Sequence, residues 1–132
     1  MLRVTCAIIF HENKILVTQR GPAMMQPGKW EFPGGKIESG ETEEDCMLRE
    51  LQEELNISVE LIGRLKDCIH DYGDFQITLI PFLANYESGT LTLAEHMNYL
   101  WLTPDQLNTL DWAPADVEVV EEVLKFFKNC QQ

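Results

Sequence analysis

The sequence has no basic cluster, no two cysteines at CxxC spacing, and no apolar run near the roughly 18 residues that suggest a membrane span. Each absence excludes a class. Ten Lys and Arg stand against 22 Asp and Glu, a formal net charge of −12, which repels the phosphates of DNA or RNA. No nucleic-acid polymer is expected as a partner. A small anionic ligand remains compatible, because it can arrive with a divalent cation at carboxylates which that cation partly neutralises. Cys6, Cys46, Cys68 and Cys130 are scattered, which suggests neither a zinc module nor a redox motif and reads as reduced thiols. Met1 to Phe10 lacks the basic flank and cleavage region of a secretory signal, so the expected address is cytoplasmic, without membrane association.

What is present suits a globular protein: 45% hydrophobic and 24% charged residues over 132 positions, with no linker, repeat or low-complexity tract. At roughly 150 residues per domain, one domain spanning 1–132 is expected. LRVTCAIIF from Leu2 and KILVTQ from Lys14, interrupted by His11-Glu12-Asn13, predict a hairpin. Gly21 to Gly28 predicts an irregular loop, Trp30 to Phe32 a short strand, and Pro33-Gly34-Gly35 a turn. Thr42 followed by Glu43, Glu44 and Asp45 predicts a capped helix running to about Leu55. Further strands are expected at Val59 to Leu65, Gln76 to Ala84, Thr90 to Leu93 and Tyr99 to Leu102, with Pro81 at an edge or a bulge. Thr103-Pro104 opens a short helix through Leu110, and Val117, Val120, Leu124 and Phe127 mark an amphipathic helix from Pro114 to about Lys128. The order predicts an α+β fold, a mixed sheet with helices on its faces.

From Glu38 to Glu60 nine acids face one base, Arg49. On a helix, Leu48, Leu51 and Leu55 share an arc read as core, and Glu50, Glu53 and Glu54 form another about 140° away. Like charges three and four apart destabilise a bare helix by a few tenths of a kcal/mol per pair, roughly. A hard divalent cation relieves that repulsion, and Mg2+ is the cation that prefers carboxylates joined to phosphate oxygens. A solvated acidic face is the plainer alternative. The spacing decides between them. Gly35, five residues, Glu41, seven residues, then Arg49-Glu50-Leu51-Gln52-Glu53-Glu54-Leu55-Asn56-Ile57 resembles the Nudix box, G-x5-E-x7-R-E-U-x-E-E-x-G-U, with U apolar. Asn56 alone departs, standing where the family has glycine. Asparagine also tolerates the left-handed conformation that ends a helix, so the expected effect is small.

The resemblance implies a Nudix fold, an α/β/α sandwich, and hydrolysis of a nucleoside diphosphate linked to another group by water attack on phosphorus. It implies Mg2+, with Mn2+ as a substitute, held by Gly34, Glu50, Glu53 and Glu54. Arg49 would hold the glutamates by ion pairing, with Gly35 and Glu41 in support. Glu50 is the expected general base, with Glu53 its close competitor. Lys29 to Glu38, KWEFPGGKIE, is similar to the MutT-like branch, the nucleoside triphosphate pyrophosphatases. Alignment on Trp101 puts Glu95 where that branch carries a further metal-binding glutamate, and Arg20, after the second strand, matches a basic residue that faces the phosphates there. Base recognition is expected between Phe32 and Asp116, a helix-capping role for Asp116 being the plainer alternative. Ionised aspartate only accepts hydrogen bonds and suits an exocyclic amine such as cytosine N4. The segment Ala113-Pro114-Ala115-Asp116 also resembles that of bacterial CTP pyrophosphohydrolases within the branch.

The expected substrate is therefore CTP, dCTP or an oxidised pyrimidine nucleotide. An 8-oxo-dGTP diphosphatase is the alternative, and a nucleotide or metal sensor without turnover a second. His11, His70 and His96 read as surface or loop residues, Cys46 and Met47 as packing, and Phe75 and Ile77, alternating around Gln76, as core, with one set facing the base pocket as the alternative. A monomer or homodimer is expected.

Overall fold

The computed structural model describes residues 2–130. Strands β1 (Leu2–His11) and β2 (Lys14–Gln19) form the expected hairpin, turned by Glu12 and Asn13 at φ of 51° and 65°. Positive φ at both central residues is the turn whose twist matches the strands it joins. The two strands pair only at the tip, Phe10 with Ile15 and His11 with Lys14, and then part. Into the wedge runs an extended segment, 30–36, whose first strand β3 (Trp30–Glu31) pairs with β2 and whose second, β4 (Gly34–Lys36), pairs with β1. The turn expected at Pro33-Gly34-Gly35 is thus replaced by a strand. The parted edge of β1 needs backbone partners, and glycine admits them: a Cβ at Gly34 would collide with the Thr5 carbonyl.

Strand β7 (Gln76–Ser88) runs parallel to β1 from Leu2 to Phe10 and antiparallel to β5 (Ser58–Arg64) and β6 (Cys68–Asp71). With β8 (Asn98–Leu102) on β2, the sheet has eight strands. Pro81 was expected at an edge or bulge, yet it lies in central β7. There the neighbouring strand changes from β6, ending at Leu79, to β5, beginning at Phe82, so the missing N–H falls at a junction. Strand β6 was not anticipated. Conversely, Thr90 to Leu93 forms no strand: Thr92 and Ala94 donate their N–H groups to the Leu55 and Glu54 carbonyls at 2.9 and 3.1 Å. The segment satisfies the orphan carbonyls of a helix end instead of joining a sheet.

That helix is α1 (Glu43–Leu55). Thr42 Oγ1 accepts from Asp45 N at 3.1 Å, and Asn56 ends it at φ 58°, the left-handed geometry expected. Met47, Leu51 and Leu55 pack on Ala7, Ile9, Leu16, Ile80 and Phe82, one face of the sheet. Leu48, expected in this core, is 41% exposed because the helix is turned to centre Met47 and Leu51 on the sheet. The other face carries α2 (Pro114–Cys130), whose Val119, Val120 and Val123 cover Cys6, Ile8, Val17 and Leu79. Val117 lies at its flank, exposed. The short helix at Pro104–Thr109 is a 3-10 turn closed by Thr103 and Gln106. Period-2 alternation along β1, β2 and β7 divides the apolar residues between the two cores, so the fold is the expected α+β sandwich. Among the described residues no helix is long and apolar enough to cross a membrane.

Candidate active site

A cavity of about 720 Å³ opens where segment 30–36, α1, the loop before β8 and the start of α2 meet. Eight of the residues singled out in the sequence line it: Arg20, Phe32, Gly34, Gly35, Glu50, Glu54, Glu95 and Asp116. Arg49, Glu41 and Glu53 stand beside it without lining it.

Arg49 organises the acidic face of α1. Its Nε and Nη2 donate to the two oxygens of Glu41 at 2.6 and 3.0 Å, and Nη1 donates to Glu50 Oε1 and Glu53 Oε2, both at 3.0 Å. This fork holds Glu41 down to about 2, first through its side-chain hydrogen bonds. Glu50 lies in a cradle that a side chain on residue 35 would fill, since a Cβ there would overlap its carboxyl group. Burial raises the Glu50 carboxyl, and the Arg49 hydrogen bond offsets only part of this. Glu54 is raised too, first by burial and then by Glu95. Its Oε2 is buried and makes no hydrogen bond. Glu53, by contrast, has a 58% exposed side chain.

Among the described residues no three Asp, Glu, His or Cys side chains converge as a ready metal cluster. The donors nonetheless fit a hard divalent cation by chemistry. They are all carboxylate oxygens, two belong to carboxyls whose charge the fold penalises, and one oxygen is orphaned in the cavity. Gly34 and Glu95 border the same space.

The opposite wall is built around Phe32 and Asp116. Phe32 packs on Trp112 with ring centroids 4.9 Å apart, and its N–H donates to Asp116 Oδ2 at 2.9 Å. Asp116 therefore ties α2 to the segment after β3. The ionised form expected for it is disfavoured here. The residue is 5% exposed, and burial, then the nearby Glu31 carboxylate, push its carboxyl well above the usual range.

Two residues of the site were missed, Glu31 and His96, and for a third, Phe75, the alternative reading holds. Glu31 lies on β3 with its carboxylate ion-paired to Arg20 Nη1, while Arg20 Nε donates to the Met25 carbonyl. His96, read as a surface or loop residue, is 6% exposed and bonds Glu31 Oε2 through Nε2 at 2.7 Å. The backbone holds it there: Met97 N donates to Gln19 O at 3.0 Å, and Gly21 admits the Glu95 carbonyl where a Cβ would collide. Phe75, read as core, is exposed at the cavity and stacks on Tyr72 at 5.3 Å. An acid inside the apolar Trp30-Glu31-Phe32 run was a usable signal for Glu31. Nothing in the spacing distinguished His96.

The fold and the box on α1 define a class. Residues 1–123 match the model of the NUDIX domain, and the chain belongs to the Nudix family of hydrolases acting on phosphorus anhydrides. It is 34% identical over 121 residues to the CTP pyrophosphohydrolase of Escherichia coli (strain K12), covering 92% of this chain and 90% of that protein. It is equally 34% identical over 123 residues to the 8-oxo-dGTP diphosphatase of the same strain, covering 92% and 95%. The solution structure of the E. coli ORF135 protein superposes with a TM-score of 0.84 at 32% identity, covering 96% of this chain and 90% of that one.

Proposed function

We propose that the protein converts a nucleoside triphosphate and water to the monophosphate and pyrophosphate with Mg2+, Mn2+ substituting, and that CTP, dCTP or an oxidised pyrimidine nucleotide is its substrate. One observation carries this reading: a single cavity joins Glu50 and Glu54 of α1 to Arg20, Phe32 and Asp116. The similarity to a CTP pyrophosphohydrolase supports it. A divalent cation, when bound, neutralises phosphate oxygens and lowers the pKa of water. Gly34, Glu50, Glu53, Glu54 and Glu95 are the residues to hold it. Glu50 takes the proton of the attacking water, with Glu53 as competitor, and Arg49 keeps both oriented. Arg20 faces the phosphates and Phe32 packs against the base. Asp116 reads the base's polar edge.

A second reading, an 8-oxo-dGTP diphosphatase, draws on the raised Asp116 carboxyl. A protonated carboxyl donates as well as accepts, which removes the accept-only preference for an amino base. The test is hydrolysis of a panel of normal and oxidised triphosphates with Mg2+, measuring monophosphate and pyrophosphate. Fast turnover of CTP, dCTP or 5-hydroxycytosine nucleotides supports the first reading. Dominance of 8-oxo-dGTP replaces it with the second, and no turnover of any triphosphate removes both.

A further inference from the structure

The side chain of His96 is 1% exposed, yet only one of its nitrogens is bonded. Glu31, with Arg20 on its other oxygen, is an acceptor, so Nε2 carries the hydrogen of the 2.7 Å contact. With the ring neutral, Nδ1 then turns its lone pair toward Glu54 Oε2, 4.0 Å away. That oxygen is also buried without a partner. Two acceptors facing each other across this gap attract nothing in the chain. Packing alone does not explain them, since Leu or Met fills such a space without desolvating a polar atom. The contrast with Arg49 is informative, because Arg49 takes up Glu50 and Glu53 with its own N–H groups. His96 lies against Glu54 and leaves its oxygen unclaimed.

We propose that His96 is a positioning residue with two faces, its Nε2–H fixing Glu31 and hence Arg20 on the nucleotide side, its Nδ1 joining Glu54 Oε2 as a pair of acceptors for a hydrated divalent cation. The assignment rests on the nucleotide reading for the first face and on the cation reading of Glu54 for the second. The loop before β8 is pinned to Glu54 O and Gln19 O at its two ends, so the imidazole is held between α1 and β3 by backbone as well as by Glu31.

The experiment compares the full-length protein with His96→Gln and His96→Leu. Mn2+ binding is titrated without nucleotide by the paramagnetic resonance of the free ion, and KM and kcat are measured on the best triphosphate. Glutamine keeps an N–H donor within reach of Glu31 and has no atom at Nδ1; leucine has neither. Both variants should bind Mn2+ about tenfold more weakly, while KM rises about tenfold in His96→Leu and stays within about twofold in His96→Gln. Wild-type Mn2+ affinity in the folded variants overturns the Glu54 face, and equal KM in the two overturns the Glu31 face. If His96→Leu does not fold, weaker Mn2+ binding at wild-type KM in His96→Gln supports the proposal, and any other result overturns it. If the wild type hydrolyses no triphosphate, the functional reading fails separately and the Mn2+ titration still decides the Glu54 face.

Discussion

Glu50 combines three conditions that a proton acceptor on water needs: it lines the cavity, it is partly desolvated, and Arg49 leaves one of its oxygens uncommitted. Glu50→Gln preserves size and loses the charge. Turnover should fall by about 10²- to 10⁴-fold, with a melting temperature at least equal to wild type, because the change removes a carboxylate whose ionisation burial disfavours. Retained hydrolysis would mean that another group takes the proton. Asp116 offers a test of selectivity. Asp116→Asn keeps an oxygen for the Phe32 N–H and always presents a donor beside it, so relative rates should shift toward 8-oxo-guanine nucleotides. Unchanged relative rates would remove Asp116 from base selection. The same variant reports on protonation. A carboxyl raised in the fold binds its proton more tightly there than in the unfolded chain, so wild-type stability declines as pH rises from the unfolded value near 3.8 toward the higher folded one. Asn has no such decline, so in thermal melts its advantage over wild type should grow as pH rises above about 4.

At the scale of elements, the α1 glutamates and β4 are mutually dependent. Gly35 leaves space for the Glu50 carboxylate, and a methyl group there would displace it. Gly35→Ala should therefore lower kcat more than it raises KM, a split that steady-state kinetics resolves. The Arg49 fork is equally specific. Lysine is a point charge that cannot bridge both oxygens of Glu41 and also reach Glu50 and Glu53. In Arg49→Lys the Glu41 carboxyl should move from about 2 back toward its ordinary 4.5, observable by NMR titration. A carboxyl lowered in the fold contributes stability above its unfolded value and loses it as pH falls through the folded one. The Glu41 contribution is thus complete above about 4.5 and disappears by about 2. Local chemistry made several elements legible: Thr42 and its acids start α1, Asn56 ends it, and Glu12-Asn13 turns the hairpin. Segment 34–36 and the stretch 90–94 were misread because distant partners set their states, the parted edge of β1 for one and the open carbonyls of α1 for the other.

For the whole molecule, the cavity gathers Glu31, Glu50, Glu54, Glu95 and Asp116 within a chain already at −12. A cation that binds the folded site and not the unfolded chain raises stability by mass action. Mg2+ should raise the melting temperature, and by more at pH 8 than near pH 5. The sign follows from Glu50 and Glu54: burial raises both carboxyls, so protons compete with the cation more strongly at the lower pH. Calorimetric melts with and without Mg2+ check this, and an equal shift at both pH values would place the cation elsewhere.

By itself the sequence determined the family, because the box depends on fixed intervals along one helix and its preceding loop. Spacing there translates directly into a shared face: Gly35, Glu41, Arg49 and the three glutamates are close in chain as well as in space. It also determined the two amphipathic helices and most strands, whose apolar periods are local properties. Only the tertiary structure decided which residues complete the cavity. His96 reaches Glu31 across 65 positions and Asp116 reaches Phe32 across 84. Contacts of that separation leave no period or interval in the sequence. Burial decided the rest, since the same packing that encloses Asp116 raises its carboxyl, and residue identity alone does not carry that information.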